Sequence, residues 1–279
     1  MTQAKTQIYG LIGYPVKHSL SPAMHTAAFR ALGINAEYRL FELEAFQLEG
    51  FFAALPENNI YGFNVTVPYK EKVIPFLDEV SEDARLIGAV NTVKVSDAKK
   101  QGFNTDGEGF LRHLREGLQF SPEGKIIALI GAGGAAKAVA VCLARDRAGQ
   151  VSIYDIDNNK SSALVNNLRS KFAAVKFKAA GALSALGIGD CHLLINATPV
   201  GMKEEDPCVV SEGLLHPDLL VYDLIYNPRE TKLIKQAREV GAKTANGLGM
   251  LLYQGMLSFE IWINKKAPQA VMQSALGAH

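Results

Sequence analysis

Short apolar runs alternate with helical patterns along most of the chain. In the first part, strands are predicted near residues 7–13, 36–43, 61–67 and 89–95. Helices are predicted between them, beginning near Ser21, Leu43, Pro68 and Ser81. This alternation is typical of an α/β architecture with largely parallel sheets.

A second series of strands begins at "KIIALIGAGGAAKAV", where an apolar strand runs into a glycine turn and then an alanine-rich helix. It continues through "VSIY", "VKFK", "HLLINAT", "LLVYDLI" and "AKT", separated by about the length of a crossover helix. The series predicts a doubly wound, Rossmann-like dinucleotide-binding domain over residues 107–245. The last segment has helical apolar spacing, so we expect residues 246–279 to return to the first domain, residues 1–106, and complete it.

Composition narrows the class of ligand. The chain has 279 residues, 48% of them hydrophobic and 20% charged, which is ordinary for a soluble globular protein. Its net charge is +1, and its Lys and Arg residues are scattered, so neither nucleic acid nor a membrane surface is an expected partner. We therefore expect a small-molecule substrate and a monomer or homodimer.

Signals for export and for metal binding are both missing from the sequence. No signal peptide or membrane-spanning run is visible, which predicts a cytoplasmic protein. The three cysteines are far apart and the six histidines form no ligand motif, so no disulfide and no metal site is predicted.

The segment "GAGGAA" at 131–136 fits the dinucleotide pattern G-x-G-x-x-A. Gly131 would make the tight turn, Gly133 would let a pyrophosphate approach the backbone, and Ala136 would allow close helix packing. The helix N-terminus behind the turn would supply amide donors to the phosphates. The predicted cofactor loop comprises Gly131, Ala132, Gly133, Gly134 and Ala135. A purely structural glycine turn is the alternative, but a strand before it and a helix after it favour dinucleotide binding.

Two acids follow the second strand of this domain. Asp155 lies 21 residues past Gly134, about where an acid that binds the adenosine ribose is expected. A carboxylate there accepts hydrogen bonds from the ribose hydroxyls of NAD and repels the 2′-phosphate of NADP. A turn residue is the alternative for Asp155, while Asp157 is predicted to cap the next helix. NAD is therefore favoured, and NADP stays possible.

Polar residues interrupt apolar strand ends in the first domain. Ser19 and Ser21 share one face of an extended chain, and they could bind a ligand or cap the helix at Pro22. In "NVTV", Asn64 and Thr66 alternate with valines, so the apolar face, including Val67, should pack while the polar face meets water or a ligand.

A lysine and an aspartate could carry proton chemistry. If Pro68 opens a helix, Lys70 lies in its first turn, where the helix dipole disfavours an ammonium. Asp106 follows Asn104 and Thr105 at the predicted domain boundary, and alone it would more often be a helix cap. With a nicotinamide held by the second domain, the two side chains could manage the proton during reduction of a ketone.

The motifs "SLSPAMH", "NVTVPYKE", "GAVNT", "NTDGEG", "GAGGAA", "NATPVGM" and "NGLGMLLYQG" occur in this order over nearly the whole chain. Together they resemble the shikimate dehydrogenase family. The resemblance implies reversible reduction of 3-dehydroshikimate to shikimate in aromatic amino-acid biosynthesis, with Lys70 and Asp106 as the catalytic pair. It implies substrate contacts from Ser19, Ser21, Asn64, Thr66, Asn91, Tyr226 and Gln254. It also implies that Leu224 and Gly247 lie along the nicotinamide end of the cofactor.

One segment departs from the family pattern. Most members resemble Asn-Arg-Thr/Ser at the end of the second nucleotide-domain strand, and the Arg holds the NADP phosphate. Here that place reads Asp155, Ile156, Asp157, which looks more like the NAD-using quinate/shikimate branch. The two serines resemble shikimate-preferring members, so shikimate with NAD is predicted. The alternatives are an NAD-dependent quinate/shikimate dehydrogenase of quinate catabolism and a non-catalytic NAD-binding protein; Lys70 with Asp106 speaks against the latter.

Overall fold

The computed structural model describes residues 5–97 and 99–277, without the side chain of Glu212. It divides into two compact units. The first unit contains the described residues up to Gly109 together with those from Leu251 onward, and the second unit is Phe110–Met250. Both divisions lie a few residues beyond the domain boundaries that the sequence predicts.

The strands and helices alternate as an α/β fold requires. The strands are β1 (Gln7–Gly13), β2 (Ala36–Glu42), β3 (Ile60–Val65), β4 (Glu79–Val80), β5 (Thr92–Ser96), β6 (Lys99–Phe103), β7 (Ile126–Ile130), β8 (Gln150–Tyr154), β9 (Lys176–Ala179), β10 (Leu193–Asn196), β11 (Leu220–Asp223) and β12 (Lys243–Ala245). The helices are α1 (Ser21–Ala31), α2 (Leu48–Ala53), α3 (Glu82–Ile87), α4 (Asp106–Arg112), α5 (Gly134–Arg145), α6 (Asn158–Lys171), α7 (Lys232–Glu239), α8 (Leu248–Ile263) and α9 (Gln269–Gly277). The predicted α/β fold class is confirmed.

The first unit is built on a mixed sheet of strand order β2-β1-β3-β5-β6-β4. β1 pairs in parallel with β2 and β3, whereas β5 runs antiparallel to β3 and to β6. The start of β5 therefore lies beside the carboxyl end of β3. Polar residues from both strands meet at this edge. β6 is not among the predicted strands, because "KKQGF" carries almost no apolar alternation.

The helix predicted to begin at Pro68 is wrong. Residues 67–73 form turns instead. The carbonyl of Lys70 accepts a hydrogen bond from Val90 N at 2.7 Å, while Ile74 N donates to Glu71. Because the carbonyl is committed to a neighbouring loop, the regular helical ladder cannot form, and Lys70 lies in no helix dipole.

The prediction that Val67 packs on an apolar face is also wrong. Its strand ends at Val65, and the Val67 side chain is 68% exposed. Beyond the end of a strand the period-two alternation of faces no longer applies, so the apolar pattern overextended the strand.

The second unit is an all-parallel sheet of order β12-β11-β10-β7-β8-β9. This is the doubly wound arrangement, in which ligands bind outside the carboxyl ends of the strands where the order reverses. α5 is buried along most of its length, and Ala136 is small enough to pack closely. The glycine turn after β7 and the loops after β8, β10 and β11 therefore meet at one edge.

Candidate active site

Lys70 and Asp106 form an ion pair in the first unit. Lys70 Nζ lies 2.6 Å from Asp106 Oδ2, and the two side chains are 15% and 7% exposed. Asp106 begins α4, but its carboxylate turns toward Lys70, and it is Asn104 Oδ1 that accepts from Asp106 N. The helix-cap interpretation of Asp106 is therefore wrong. The pair places an ammonium in a poorly solvated position, which suits directed proton transfer.

Asn91 holds the other oxygen of the same carboxylate. Its Oδ1 accepts from Thr105 N at 2.8 Å, and a backbone N–H can only donate, so the amide orientation is fixed. Asn91 Nδ2 then donates to Asp106 Oδ1 at 2.9 Å and lies 3.3 Å from Gln254 Oε1. The structure thus brings the predicted residues Lys70, Asn91, Asp106 and Gln254 together.

Asn64 is also near this group, but its own hydrogen bonds are directed inward. Its Oδ1 accepts from Tyr38 Oη at 2.8 Å, and its Nδ2 donates within the protein, to Ser258 Oγ at 2.9 Å among others. The polar face predicted to meet water or a ligand is therefore buried at Asn64. Sequence reasoning did not single out Tyr38 or Ser258, and neither carries a motif signal beyond an ordinary core position.

The two serines and Thr66 retain unused hydroxyl protons. Ser21 is the first residue of α1, and the N-cap residue Leu20 makes no side-chain capping hydrogen bond. Ser19 Oγ accepts from Ser21 N at 3.2 Å. In the described part of the chain, none of the three hydroxyls donates a hydrogen bond. They follow β1 and β3, whose carboxyl ends adjoin.

The glycine turn of the second unit has the geometry that a pyrophosphate requires. Gly131 adopts φ 109°, a conformation that favours glycine, and a Cβ there would lie 2.9 Å from Ala197 O. A Cβ on Gly133 would meet open space. Gly133 precedes the first turn of α5, so free backbone amides face this space. Ala132, Gly134 and Ala135 complete the turn, and a dinucleotide fits it.

Asp155 is bound to the glycine turn. Its Oδ2 accepts from Ala132 N at 2.7 Å and its Oδ1 accepts from Asp157 N at 2.9 Å. A carboxylate has about four acceptor positions, so two remain for ribose hydroxyls. Asp157 accepts from Asn159 N at 3.1 Å, which confirms that it caps α6. Ile156 between them is 91% exposed.

Leu224 and Gly247 lie against each other in the second unit. A Cβ on Gly247 would lie only 2.0 Å from Leu224 O, so glycine is required there. Tyr226 follows in the same loop and is half-buried; it belongs to the second unit, unlike the other predicted substrate residues.

Asp223 fixes this loop. The fully buried carboxylate accepts from Ile225 N, from Thr231 Oγ1 at 2.6 Å and from Asn196 Nδ2 at 3.0 Å. Burial raises the pKa of Asp223, and the three hydrogen bonds oppose that rise. Asn196 is the last residue of β10, so Asp223 joins the ends of β10 and β11 where their loops begin.

The described residues contain neither a membrane-spanning helix nor a cluster of metal ligands. Over 5–97 and 99–277, no helix is long and apolar enough to cross a bilayer. Within the same ranges, no cluster of three or more His, Cys, Asp or Glu side chains could hold a metal ion.

Comparison with known proteins gives consistent matches. Residues 11–93 match the family model of the shikimate dehydrogenase substrate binding domain, and residues 247–276 match that of the shikimate 5′-dehydrogenase C-terminal domain. The chain is 46% identical to a protein of Methanopyrus kandleri named shikimate dehydrogenase (NADP(+)), over 99% of this chain and 97% of the relative.

Solved structures with either cofactor are similar to this chain. A shikimate dehydrogenase in complex with NADP+ is 41% identical and superposes with a TM-score of 0.91, covering 100% of this chain and 97% of its own. The Listeria monocytogenes shikimate 5-dehydrogenase in complex with shikimate and NAD is 36% identical, with a TM-score of 0.88 and coverages of 98% and 97%.

Proposed function

The chain belongs to the shikimate dehydrogenase family, and we propose that Lys70 and Asp106 are its catalytic pair and that NAD is its preferred cofactor. Its reaction is the reversible, NAD(P)-dependent reduction of 3-dehydroshikimate to shikimate. The observation that carries the catalytic assignment is the Lys70–Asp106 ion pair at 2.6 Å, at the edge where the polar strand ends meet.

When bound, a nicotinamide cofactor would supply the hydride that reduces the 3-keto carbon. Negative charge then develops on the keto oxygen, and the Lys70 ammonium donates a proton to it. In the oxidative direction, neutral Lys70 takes the proton of the same hydroxyl. Asp106 Oδ2 accepts a hydrogen bond from Lys70 Nζ at 2.6 Å and so orients the amine.

The remaining polar residues of the first unit would hold the substrate. Ser19 and Ser21 have unused hydroxyl protons suited to the carboxylate, and Thr66 has one suited to a ring hydroxyl. Gln254 and Asn91 lie beside Asp106, where the ring hydroxyl groups would bind. Tyr226 would contribute from the loop after β11.

Removal of the lysine tests the catalytic role. Lys70→Ala should lower kcat for shikimate oxidation by about 10²–10⁴-fold, with shikimate still bound in calorimetry. Lys72→Ala is the matched control, because Lys72 is exposed two residues away and should leave kcat unchanged. Wild-type turnover in Lys70→Ala would remove the lysine from the mechanism.

The preference for NAD rests on the segment after β8. Asp155 would present a carboxylate to the ribose, and Asp157 adds a second carboxylate nearby. The adjacent Lys160 lies 3.9 Å from Asp157 Oδ2 and is largely exposed, so it offers no built phosphate clamp. A 2′-phosphate would meet two carboxylates, whereas the hydroxyl of NAD can donate to Asp155.

The geometry also decides how cofactor preference should be tested. Asp155 accepts from Ala132 N in the glycine turn and from Asp157 N in its own loop, so changing it would confound cofactor recognition with loop geometry. Ile156→Arg with Asp157→Ser restores the Arg-Ser of the family pattern. Ile156 is exposed, and a serine at position 157 can still cap α6.

We expect this double variant to raise the ratio of kcat/KM with NADP to that with NAD by about tenfold or more. Ile156→Gln with Asp157→Ser is the matched control without the charge. Steady-state rates with NAD and NADP, each with shikimate and with quinate, give the wild-type preference. Wild-type preference for NADP would refute the NAD proposal, and quinate turnover equal to that of shikimate would favour the quinate/shikimate alternative.

A further inference from the structure

Ser258 lies on α8, one turn after Gln254, and is fully buried in the first unit. Its Oγ lies 2.9 Å from Gln254 O, 2.9 Å from Asn64 Nδ2 and 2.8 Å from Thr92 Oγ1. Thr105 Oγ1 is 3.2 Å away. A single hydroxyl thus joins α8 to β3, to β5 and to the residue before α4.

The direction of each hydrogen bond follows from what its partner can do. Gln254 O can only accept, so it takes the one proton of Ser258. Asn64 Oδ1 accepts from Tyr38, so the amide nitrogen of Asn64 faces Ser258 and donates to it. The second lone pair of Ser258 then accepts from Thr92, the nearer of the two threonine hydroxyls.

The acceptor to which Thr92 donates affects Asp106 through Asn91. Thr92 Oγ1 also lies 3.0 Å from Asn91 Oδ1, so Ser258 and Asn91 compete for the proton of Thr92. Asn91 donates to Asp106 Oδ1 at 2.9 Å, and Asp106 holds Lys70. A change at Ser258 therefore alters the bonds of Asn91, which is in direct contact with the catalytic pair.

We propose that Ser258 is a positioning residue, whose buried hydroxyl fixes the hydrogen-bond direction of Thr92 and, through Asn91, the orientation of Asp106. Ser258 acts through these neighbours and contacts neither Lys70 nor Asp106. The inference rests on the proposed function, because it gives the network its consequence for catalysis.

Ser258→Ala tests this positioning role of Ser258 with little change in side-chain volume. Asn64 Nδ2 loses its nearest acceptor and keeps only the longer contacts with Asn91 O at 3.2 Å and Thr92 Oγ1 at 3.1 Å, while the Thr92 proton is released to Asn91. We expect kcat/KM for shikimate oxidation to fall by about tenfold to a hundredfold, mainly in kcat, because the loss is in the alignment of Lys70 and Asp106.

Ser161→Ala is the matched control. Ser161 is equally buried on α6, and its hydroxyl donates to the carbonyl of Asn158 in the preceding turn at 3.1 Å. The melting temperature of Ser161→Ala measures the stability lost when a buried hydroxyl that donates to its own helix is removed. The kcat/KM of this variant should stay within about twofold of wild type. An equal loss of kcat/KM in both variants would overturn the proposal.

A second pair of variants covers the case in which Ser258→Ala fails to fold. Thr92→Val removes the hydroxyl at nearly constant shape, and Thr92→Ser restores it. Thr92→Val should lower kcat as Ser258→Ala does, and Thr92→Ser should recover most of it. In combination with Ser258→Ala, the Thr92→Val loss should be clearly less than additive.

Two outcomes would overturn the inference: wild-type kcat and KM in Ser258→Ala, or equal loss in Thr92→Ser and Thr92→Val. If Lys70→Ala is inactive while Ser258→Ala is unimpaired, only the role of Ser258 fails. If Lys70→Ala keeps its turnover, the proposed function fails instead. The same set of variants therefore separates the two proposals.

Discussion

His25 is a fully buried histidine in the core of the first unit. Its ring stacks on Tyr38 with centroids 4.6 Å apart and planes at 5°. Neither ring nitrogen has a hydrogen-bond partner among the described residues. Burial without a partner disfavours the charged imidazolium and lowers the pKa of His25 to about 3.

This burial makes stability depend on pH in a defined window. Below about pH 6.5, the unfolded chain protonates this histidine while the folded protein keeps it neutral until about pH 3. The contribution of neutral His25 to the free energy of unfolding is therefore complete above pH 6.5. It decreases as pH falls, by about 1.4 kcal/mol per pH unit. We expect His25→Phe to lose this part of the pH dependence when urea unfolding is measured from pH 7.5 to 4.5.

His18→Gln is the control for this measurement, because His18 is exposed and should leave the slope unchanged. The comparison concerns slopes, so a constant stability difference caused by the larger Phe ring does not affect it. An identical pH dependence in His25→Phe and wild type would contradict the assignment.

At the scale of elements, α4 and α8 meet at a glycine. A Cβ on Gly109 would lie 2.6 Å from Gln254 N and 2.8 Å from its Cα. These are backbone atoms of a helix that cannot yield as a flexible side chain can. The close approach places Gln254 beside Asn91 and Asp106, so helix packing sets the geometry of the site.

We therefore expect Gly109→Ala to destabilise the protein by about 1–3 kcal/mol, although alanine favours helix by about 1 kcal/mol. The shift of α8 should also raise KM for shikimate. Gly50→Ala is the matched control: Gly50 lies in α2, and its Cβ would meet nothing within 4 Å, so that variant should be slightly more stable. Thermal unfolding and KM are the two measurements. Equal stability changes in both variants would rule out the tight contact.

Elements whose signals are local could be predicted from sequence. The strand β7, the glycine turn and α5 follow one another within twenty residues, and the cap of α6 lies at Asp157, as its sequence predicts. The turn around Lys70 could not be predicted, because the group that takes its carbonyl away from a helix is Val90 N. Pro68 is an equally good first residue of a helix or of a turn.

The same distinction between local and distant signals applies to the residues of the candidate site. Lys70, Asp106 and Asp155 could be named as candidates, because each stands in a polar motif that follows a strand. Ser258 could not, because a serine within an apolar helix carries no periodic or motif signal. Its partners Asn64 and Thr105 lie 194 and 153 positions away in the sequence.

At the scale of the whole chain, the first unit is discontinuous. Its core includes a set of side chains contributed from beyond the second unit: Leu252, Tyr253, Met256, Phe259, Trp262, Ala267, Met272 and Leu276. A buried Leu, Met or Phe side chain contributes about 1.5–3 kcal/mol, so this set is comparable to the roughly 5–15 kcal/mol of net stability that a domain usually has. The first unit therefore depends on its return segment.

The second unit is continuous and has its own buried core and complete sheet. We expect a chain ending at Met250 to keep a folded second unit that binds NAD, while the first unit becomes sensitive to protease. Limited proteolysis with mass spectrometry and NAD calorimetry would show both effects. Ending the chain at Pro268 is the control: it removes α9, and with it only Met272 and Leu276 of this set, and should leave the first unit partly protected. Protection of residues 5–97 in the shorter chain would show that the unit folds without α8, and would contradict this account of its stability.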